Sequence, residues 1–129
     1  MSKSSRYITL SRLPGSACSL EIVADSLSYR KLIRKNLDIR SYNRELHIYQ
    51  RLHSSFFPTL FDAYIDNFGG HIILTYIQGR TLDEIIKEEE LSLERIIHIG
   101  ISLCEALSCL HSMCPAIIHL DLKLSLIHI

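Results

Sequence analysis

The chain has 129 residues, of which 47% are apolar and 22% are charged. This length fits one modest domain or part of a larger one, and the composition excludes a disordered tail and a collagen-like repeat. The 14 basic residues balance the 14 acidic residues, so the net charge gives no reason to expect a nucleic-acid partner or a membrane surface. No apolar run approaches the roughly 18 residues that span a bilayer, and residues 1–10 lack the apolar core of a signal peptide, so we expect a cytoplasmic protein.

The cysteines give no sign of a metal or redox site. Cys104, Cys109 and Cys114 are spaced five and five residues apart, which matches neither a zinc knuckle nor a CxxC pair. We therefore expect these three residues and Cys18 to be reduced thiols, with Cys104 buried on the apolar face of a helix.

Three short apolar-rich runs, joined by turn signals, predict an antiparallel sheet in the first third of the chain. The runs cover residues 8–13, 20–24 and 30–35. Pro14 and Gly15 stand in the first connection, and a polar hairpin segment forms the second. Two further runs, at 59–66 and 71–77, are separated by Asn-Phe-Gly-Gly, which is typical of a β-hairpin.

Between these two groups of strands, apolar residues recur at three- and four-residue steps and predict an amphipathic helix over 39–53. Glu45 falls inside the apolar stripe of this helix. A carboxylate at that place pairs with a cation, because an unpaired buried charge is costly, or it reaches solvent at the edge of the stripe. The helix geometry alone gives the two alternatives equal weight.

The remaining elements are helical. Thr81, with Glu84 three residues later, forms a capping box for a short helix that ends near residue 90. Ser92 caps a longer helix over 92–112. One face of the long helix is apolar, and we expect it to pack on protein in part and to stay uncovered in part; it carries Leu93, Ile96, Ile97, Gly100, Leu103, Cys104, Leu107 and Leu110. A short strand at 116–118 is predicted to follow.

The run Ile-Ile-His-Leu-Asp-Leu-Lys at 117–123 resembles the catalytic loop of eukaryotic-type serine/threonine protein kinases. The resemblance covers about residues 7–123 and implies an α+β fold. That fold is a kinase-like N-lobe, with a five-stranded antiparallel sheet and one helix, followed by the first helices of an incomplete C-lobe. It implies an N-lobe and hinge at 1–79, the start of the C-lobe at 80–123, and a non-native tail at 124–129.

The resemblance implies the residues of phosphoryl transfer. Asp121 would accept the proton of the substrate hydroxyl, and Lys123 would neutralise charge on the transferring phosphoryl group. Lys35 ends a strand similar to the family's V-A-I-K and would contact the phosphates of ATP, with Glu45 as its ion-pair partner. Arg34 is the alternative to Lys35, because both are cationic and lie next to each other.

The resemblance also implies a nucleotide site. Gly15 is the one glycine that remains of the family's glycine-rich loop, with Cys18 in the place of the third glycine. Leu20 aligns with the valine after that loop, and Ile33 stands where the family has a small alanine. The segment Leu74-Thr75-Tyr76-Ile77 is similar to the hinge, with Leu74 as gatekeeper and the backbone of the other three residues at the adenine edge.

The end of the chain departs from the family. The metal-binding Asn of the family corresponds to Leu126, and no Asp-Phe-Gly follows, so we expect the Mg²⁺ ligands to be missing. We therefore expect a truncated fragment of an ATP-dependent kinase that phosphorylates protein hydroxyls, inactive alone. The alternatives are a pseudokinase or scaffold and, less favoured because of Lys123, a small-molecule kinase of the aminoglycoside type. A nucleic-acid-binding sheet is disfavoured, since residues 30–40 lack interleaved aromatic side chains.

Overall fold

The structure is a computed structural model that describes residues 3–13 and 19–117. It divides the chain into two compact units, one ending at Tyr76 and one beginning at Ile77. We call the first the sheet unit and the second the helical unit. The lobe boundary expected from the sequence lies after residue 79.

The sheet unit contains five antiparallel strands and one long helix, as predicted. Its elements are α1 (Lys3–Arg6), β1 (Tyr7–Leu13), β2 (Ser19–Asp25), β3 (Lys31–Leu37), α2 (Ile39–Arg51), β4 (Leu60–Asp66) and β5 (Gly69–Thr75). The strand order is β1-β2-β3-β5-β4. The five strands and α2 match their predicted bounds within two residues. The four-residue α1 was not predicted, because Lys-Ser-Ser-Arg has no apolar periodicity.

The two faces of the sheet carry separate apolar clusters. On the face that packs against α2, which we call the α2 face, Tyr42, Ile72 and Leu74 form the buried cluster. On the opposite face, which we call the far face, the buried cluster consists of Tyr7, Val23, Leu32, Tyr64 and Ile73. Strand alternation produces this division, because successive side chains of a strand point to opposite faces.

Helix α2 approaches the sheet closely at Gly70. A Cβ atom added to Gly70 would overlap the ring of Tyr42, which is buried in the cluster on the α2 face. The helix begins after Asp38, whose carboxylate accepts a hydrogen bond from the Ser41 backbone N–H at 2.8 Å. This N-cap and the Tyr42 contact together fix the start of α2 against the sheet.

The turn between β2 and β3 is built around a fully buried carboxylate. Asp25 accepts hydrogen bonds from Arg6 Nε at 2.7 Å and from Ser28 Oγ at 2.5 Å. The bonds from Arg6 dominate the opposing effect of burial and hold the pKa of Asp25 well below its usual range. Asp25 therefore stays ionised inside the fold and ties α1 to the turn.

The helical unit contains α3 (Leu82–Glu88) and α4 (Leu93–His111), close to the predicted bounds. Both predicted N-caps are present. Thr81 Oγ1 accepts from the Glu84 N–H and Ser92 Oγ accepts from the Arg95 N–H, each at 3.2 Å. None of the described helices is long and apolar enough to cross a membrane.

Two expectations for the helical unit are wrong. Residues 116 and 117 form no strand, because the Ile117 N–H donates to the Leu110 carbonyl after the end of α4; position 118 lies outside the described residues. Cys104 is exposed rather than buried. Ile96 and Ile97 are 51% and 52% exposed, whereas Leu110 is buried. The apolar face of α4 is therefore uncovered in part, as predicted, and Cys104 lies on the uncovered part.

Candidate nucleotide site

An ion pair joins β3 to α2. Lys35 Nζ contacts Glu45 Oε1, which confirms the ion pair predicted for these residues and the paired alternative for Glu45. The side chains are 19% and 24% exposed, so the pair lies at the border of the apolar cluster rather than in open solvent. The Lys35 ammonium group also lies 5.8 Å from the centre of the Tyr49 ring on the same helix. The pair holds the lysine at one place on the α2 face.

Arg34, the alternative cation, points to the far face. Its Nε donates to Glu21 Oε1 at 3.1 Å, and its two terminal nitrogens donate to Thr9 Oγ1 at 2.7 Å and to the Tyr64 hydroxyl at 3.3 Å. Because neighbouring residues of a strand face opposite sides, Arg34 cannot share the partner of Lys35. Lys35 is therefore the cation that reaches α2.

Apolar residues of three strands share the face of Lys35. Leu20 lies opposite Lys35 in the β2–β3 pairing, and Ile33 lies opposite Leu74 in the β3–β5 pairing. Residues directly opposite one another in antiparallel strands project to the same face. Leu74 is buried, while Leu20 and Ile33 are half-buried. A planar apolar group and an anion can be bound side by side on such a surface.

The end of β5 lies beside this surface. The Thr75 N–H donates to the Thr59 carbonyl at 3.0 Å, so that backbone donor is already used. The ring of Tyr76 contacts Lys31, whose Nζ lies 4.4 Å from the ring centre. Ile77 is exposed and begins the helical unit.

Sequence reasoning missed a polar network on the far face. Glu21 is nearly buried and accepts from Arg34 and from Asn36 Nδ2, the latter at 2.5 Å. Asn36 Oδ1 lies 2.6 Å from His71 Nδ1, and His71 Nε2 lies 2.7 Å from Asp66 Oδ1. The one sign of this network in the sequence is Glu21, a charged residue within an apolar strand. Its partners could not be identified, because they become neighbours only through the register of the strands.

The network explains the charge state of Glu21. Burial alone raises the pKa of this carboxyl, but hydrogen bonds from Asn36 and Arg34 outweigh burial and leave its pKa below the ordinary value. Glu21 is therefore a carboxylate at neutral pH, and it links residues on both sides of Lys35 in β3 to strand β2.

Three residues expected in the site, Gly15, Asp121 and Lys123, lie outside the described residues, as do Cys18 and Leu126. Within residues 3–13 and 19–117, no group of three or more His, Cys, Asp or Glu side chains could hold a metal ion. The described part of the candidate site therefore consists of residues of the sheet and of α2.

Comparison with known proteins adds two findings. Residues 21–128, most of the chain, match the protein kinase domain family. A probable serine/threonine-protein kinase of Clostridium perfringens (strain 13 / Type A) is 44% identical over 54 residues, which are 41% of this chain. The matched part is 8% of that protein's length, so the chain spans a small fraction of the relative.

Proposed function

The chain belongs to the protein kinase domain family, and we propose that it carries the ATP-binding part of a serine/threonine protein kinase. The contact between Lys35 and Glu45 carries this proposal. A lysine held by a carboxylate keeps its ammonium group extended, where its other hydrogens can reach phosphate oxygens. Lys35 would then bind the phosphates of ATP while Glu45 orients it.

The apolar residues beside Lys35 fit the base of the nucleotide. Leu20, Ile33 and Leu74 share the α2 face with Lys35 and would stack on the adenine ring. We propose that the backbone of residues 75–77 meets the adenine edge. The Thr75 N–H already donates to the Thr59 carbonyl, so the contacts with the base are assigned to other backbone groups of residues 75–77. Gly15 would lie next to the phosphates.

Phosphoryl transfer needs groups beyond this surface. Asp121 would take the proton of a serine or threonine hydroxyl as its oxygen bonds to the γ-phosphorus of ATP, while the bond to ADP breaks. Lys123 would neutralise the transferring charge. Bound Mg²⁺ would supply further charge neutralisation, but the proposal assigns no residue of this chain to hold it. We therefore propose that the parent protein transfers phosphate and that these 129 residues alone do not.

Nucleotide binding is tested first. Titration with Mg-ATP, followed by NMR chemical shifts, should move the amide signals of residues 33–35 and 74–76 with a dissociation constant above about 1 mM. Lys35→Met should weaken binding about tenfold. Lys87→Met is the matched control, because Lys87 pairs with Asp83 on the exposed surface of α3. Equal binding by the wild type and Lys35→Met would contradict the assigned role of Lys35.

Phosphoryl transfer is tested separately. Phosphate release and autophosphorylation, with magnesium or manganese, should be absent from the 129-residue chain and present in a longer chain of the same protein. Activity of the short chain that disappears in its Asp121→Asn variant would overturn the proposed inactivity. A pseudokinase is the second candidate, favoured by Leu126 and the single remaining loop glycine; an inactive longer chain would support it. The cytoplasmic location stays a prediction, which cell fractionation tests.

A further inference from the structure

Asn36 follows Lys35 in β3, and its side chain bonds to both neighbouring strands on the far face of the sheet. Asn36 Nδ2 donates to Glu21 Oε1 at 2.5 Å and to Ser19 Oγ at 3.3 Å, and both of these residues belong to β2. On the other side, Asn36 Oδ1 lies 2.6 Å from His71 Nδ1 in β5. Since β3 lies between β2 and β5, this one side chain ties the strand of Lys35 to both of its neighbours.

The charges around Asn36 fix the orientation of its amide group. Glu21 is a carboxylate, which only accepts hydrogen bonds, so Asn36 must present its nitrogen to Glu21 and its oxygen to His71. Turning the amide over would set its oxygen against the Glu21 carboxylate. His71 is in turn held by Asp66, with 2.7 Å between His71 Nε2 and Asp66 Oδ1. Asn36 is therefore fixed from both sides.

Both neighbours of Lys35 along β3 are bound to the same oxygen atom. Glu21 Oε1 accepts from Asn36 Nδ2 and also from Arg34 Nε, the latter at 3.1 Å. These two bonds hold the backbone of Lys35 from the far face, while Glu45 holds the end of its side chain on the α2 face. Positioning of this kind matters because a displacement of about 1 Å can greatly weaken what a group contributes to a reaction.

We propose that Asn36 is a positioning residue for Lys35 and keeps the Lys35 ammonium group within reach of the phosphates of a nucleotide. This inference rests on the proposed nucleotide site and extends it to a residue on the opposite face of the sheet. Two residues assigned to the base, Ile33 and Leu74, pair with each other three positions from Asn36 along β3. Loss of the Asn36 hydrogen bonds should therefore weaken the binding of phosphates more than the binding of the base.

The test compares two ligands that share the base, Mg-ATP and adenosine, which lacks the phosphates. NMR chemical shifts of the full 129-residue chain follow the binding of each ligand. Asn36→Leu keeps nearly the same side-chain shape without the hydrogen bonds, and it should weaken Mg-ATP binding about fivefold and adenosine binding less than about twofold. Asn36→Asp sets a second carboxylate against Glu21 and should act in the same direction. Asn43→Asp, on the exposed surface of α2, is the matched control and should bind both ligands as the wild type does.

A double-mutant cycle shows whether Asn36 acts through Lys35. In the Lys35→Met background, Asn36→Leu should change Mg-ATP binding by less than about twofold, because the group that it positions is already gone. Circular dichroism checks that each variant is folded. Asn36→Ser replaces Asn36→Leu in the same measurements if the leucine variant unfolds.

Three outcomes would overturn the inference. Equal weakening of Mg-ATP and adenosine binding would show that Asn36 only stabilises the sheet. Additive effects of Asn36→Leu and Lys35→Met would show that Asn36 does not act through Lys35. Unchanged Mg-ATP binding in the Asn36 variants would show that Lys35 needs no such support. A failure of the proposed nucleotide site is a different result, since Lys35→Met itself would then leave Mg-ATP binding unchanged.

Discussion

The sheet unit and the helical unit differ in where they place their charged side chains. The sheet unit buries charge, since Glu21 and Asp25 are almost inaccessible and each is paired with an arginine. Both units expose some apolar side chains, and in the helical unit these include Ile96 and Ile101, which are each about half exposed on α4. The ion pairs of the helical unit lie on the surface, with both partners of Arg95–Glu89 about 40% exposed.

This difference indicates which interactions stabilise each unit. A buried carboxylate is tolerated only where the surrounding structure supplies cations and hydrogen bonds. The sheet unit supplies both to its buried carboxylates. The exposed isoleucines of α4 contribute little until something covers them. We therefore expect substitutions of the same chemical kind to have large effects in the sheet unit and small effects in the helical unit.

Isoleucine truncation gives the largest expected contrast. Ile73→Ala removes a fully buried side chain from the far-face cluster and should destabilise the sheet unit by about 2–5 kcal/mol. Ile97→Ala, at a site that is half exposed on α4, should change stability by less than about 0.5 kcal/mol. Hydrogen-exchange mass spectrometry on both variants measures the local opening free energy. A large effect of Ile97→Ala would show that α4 is packed in solution.

Arginine truncation tests whether burial or distance decides the strength of an ion pair, because the more buried of the two pairs compared is also the longer one. The Arg34–Glu21 pair is longer, at 3.1 Å, than the Arg95–Glu89 pair at 2.6 Å. We nevertheless expect Arg34→Ala to cost about 3 kcal/mol, since it leaves the buried Glu21 carboxylate with a longer contact of 3.9 Å to the exposed Arg12. Arg95→Ala should cost less than about 1 kcal/mol. Equal costs in urea unfolding would mean that burial does not decide the strength of these pairs.

Acidification is expected to have the smallest effect on stability, and we expect this effect in the sheet unit. The pKa values of Glu21 and Asp25 are lower in the folded state than in the unfolded state. These two carboxylates therefore stabilise the fold fully above their unfolded pKa values of about 4, and this stabilisation is lost as the pH falls through the lower folded values. Exchange protection of β2 and β3 should fall below about pH 4. Glu21→Gln should be less stable at neutral pH but should lose less stability on acidification. An unchanged acid dependence in that variant would contradict the role of Glu21.

The sequence predicts the α2 face of the sheet unit better than the far face. Lys35 and Glu45 could be paired in advance because the resemblance to protein kinases implies that pair, and helical periodicity places Glu45 in an apolar stripe, where a cation partner is one of two alternatives. The Glu21–Arg34–Asn36 network could not, because its members meet through the register of β2 and β3, and no local period encodes register. Likewise, apolar periodicity identified α4 but not which of its apolar residues are covered, since coverage depends on distant parts of a protein.

The contact between Gly70 and Tyr42 constrains how this sequence can change over time. A side chain at position 70 would overlap the Tyr42 ring, so a mutation there is acceptable only after position 42 has lost its ring. Losing the ring first opens a cavity in the cluster on the α2 face. Either order passes through a less stable intermediate, so the two positions are expected to be inherited together, and a library randomised at position 70 alone should return glycine.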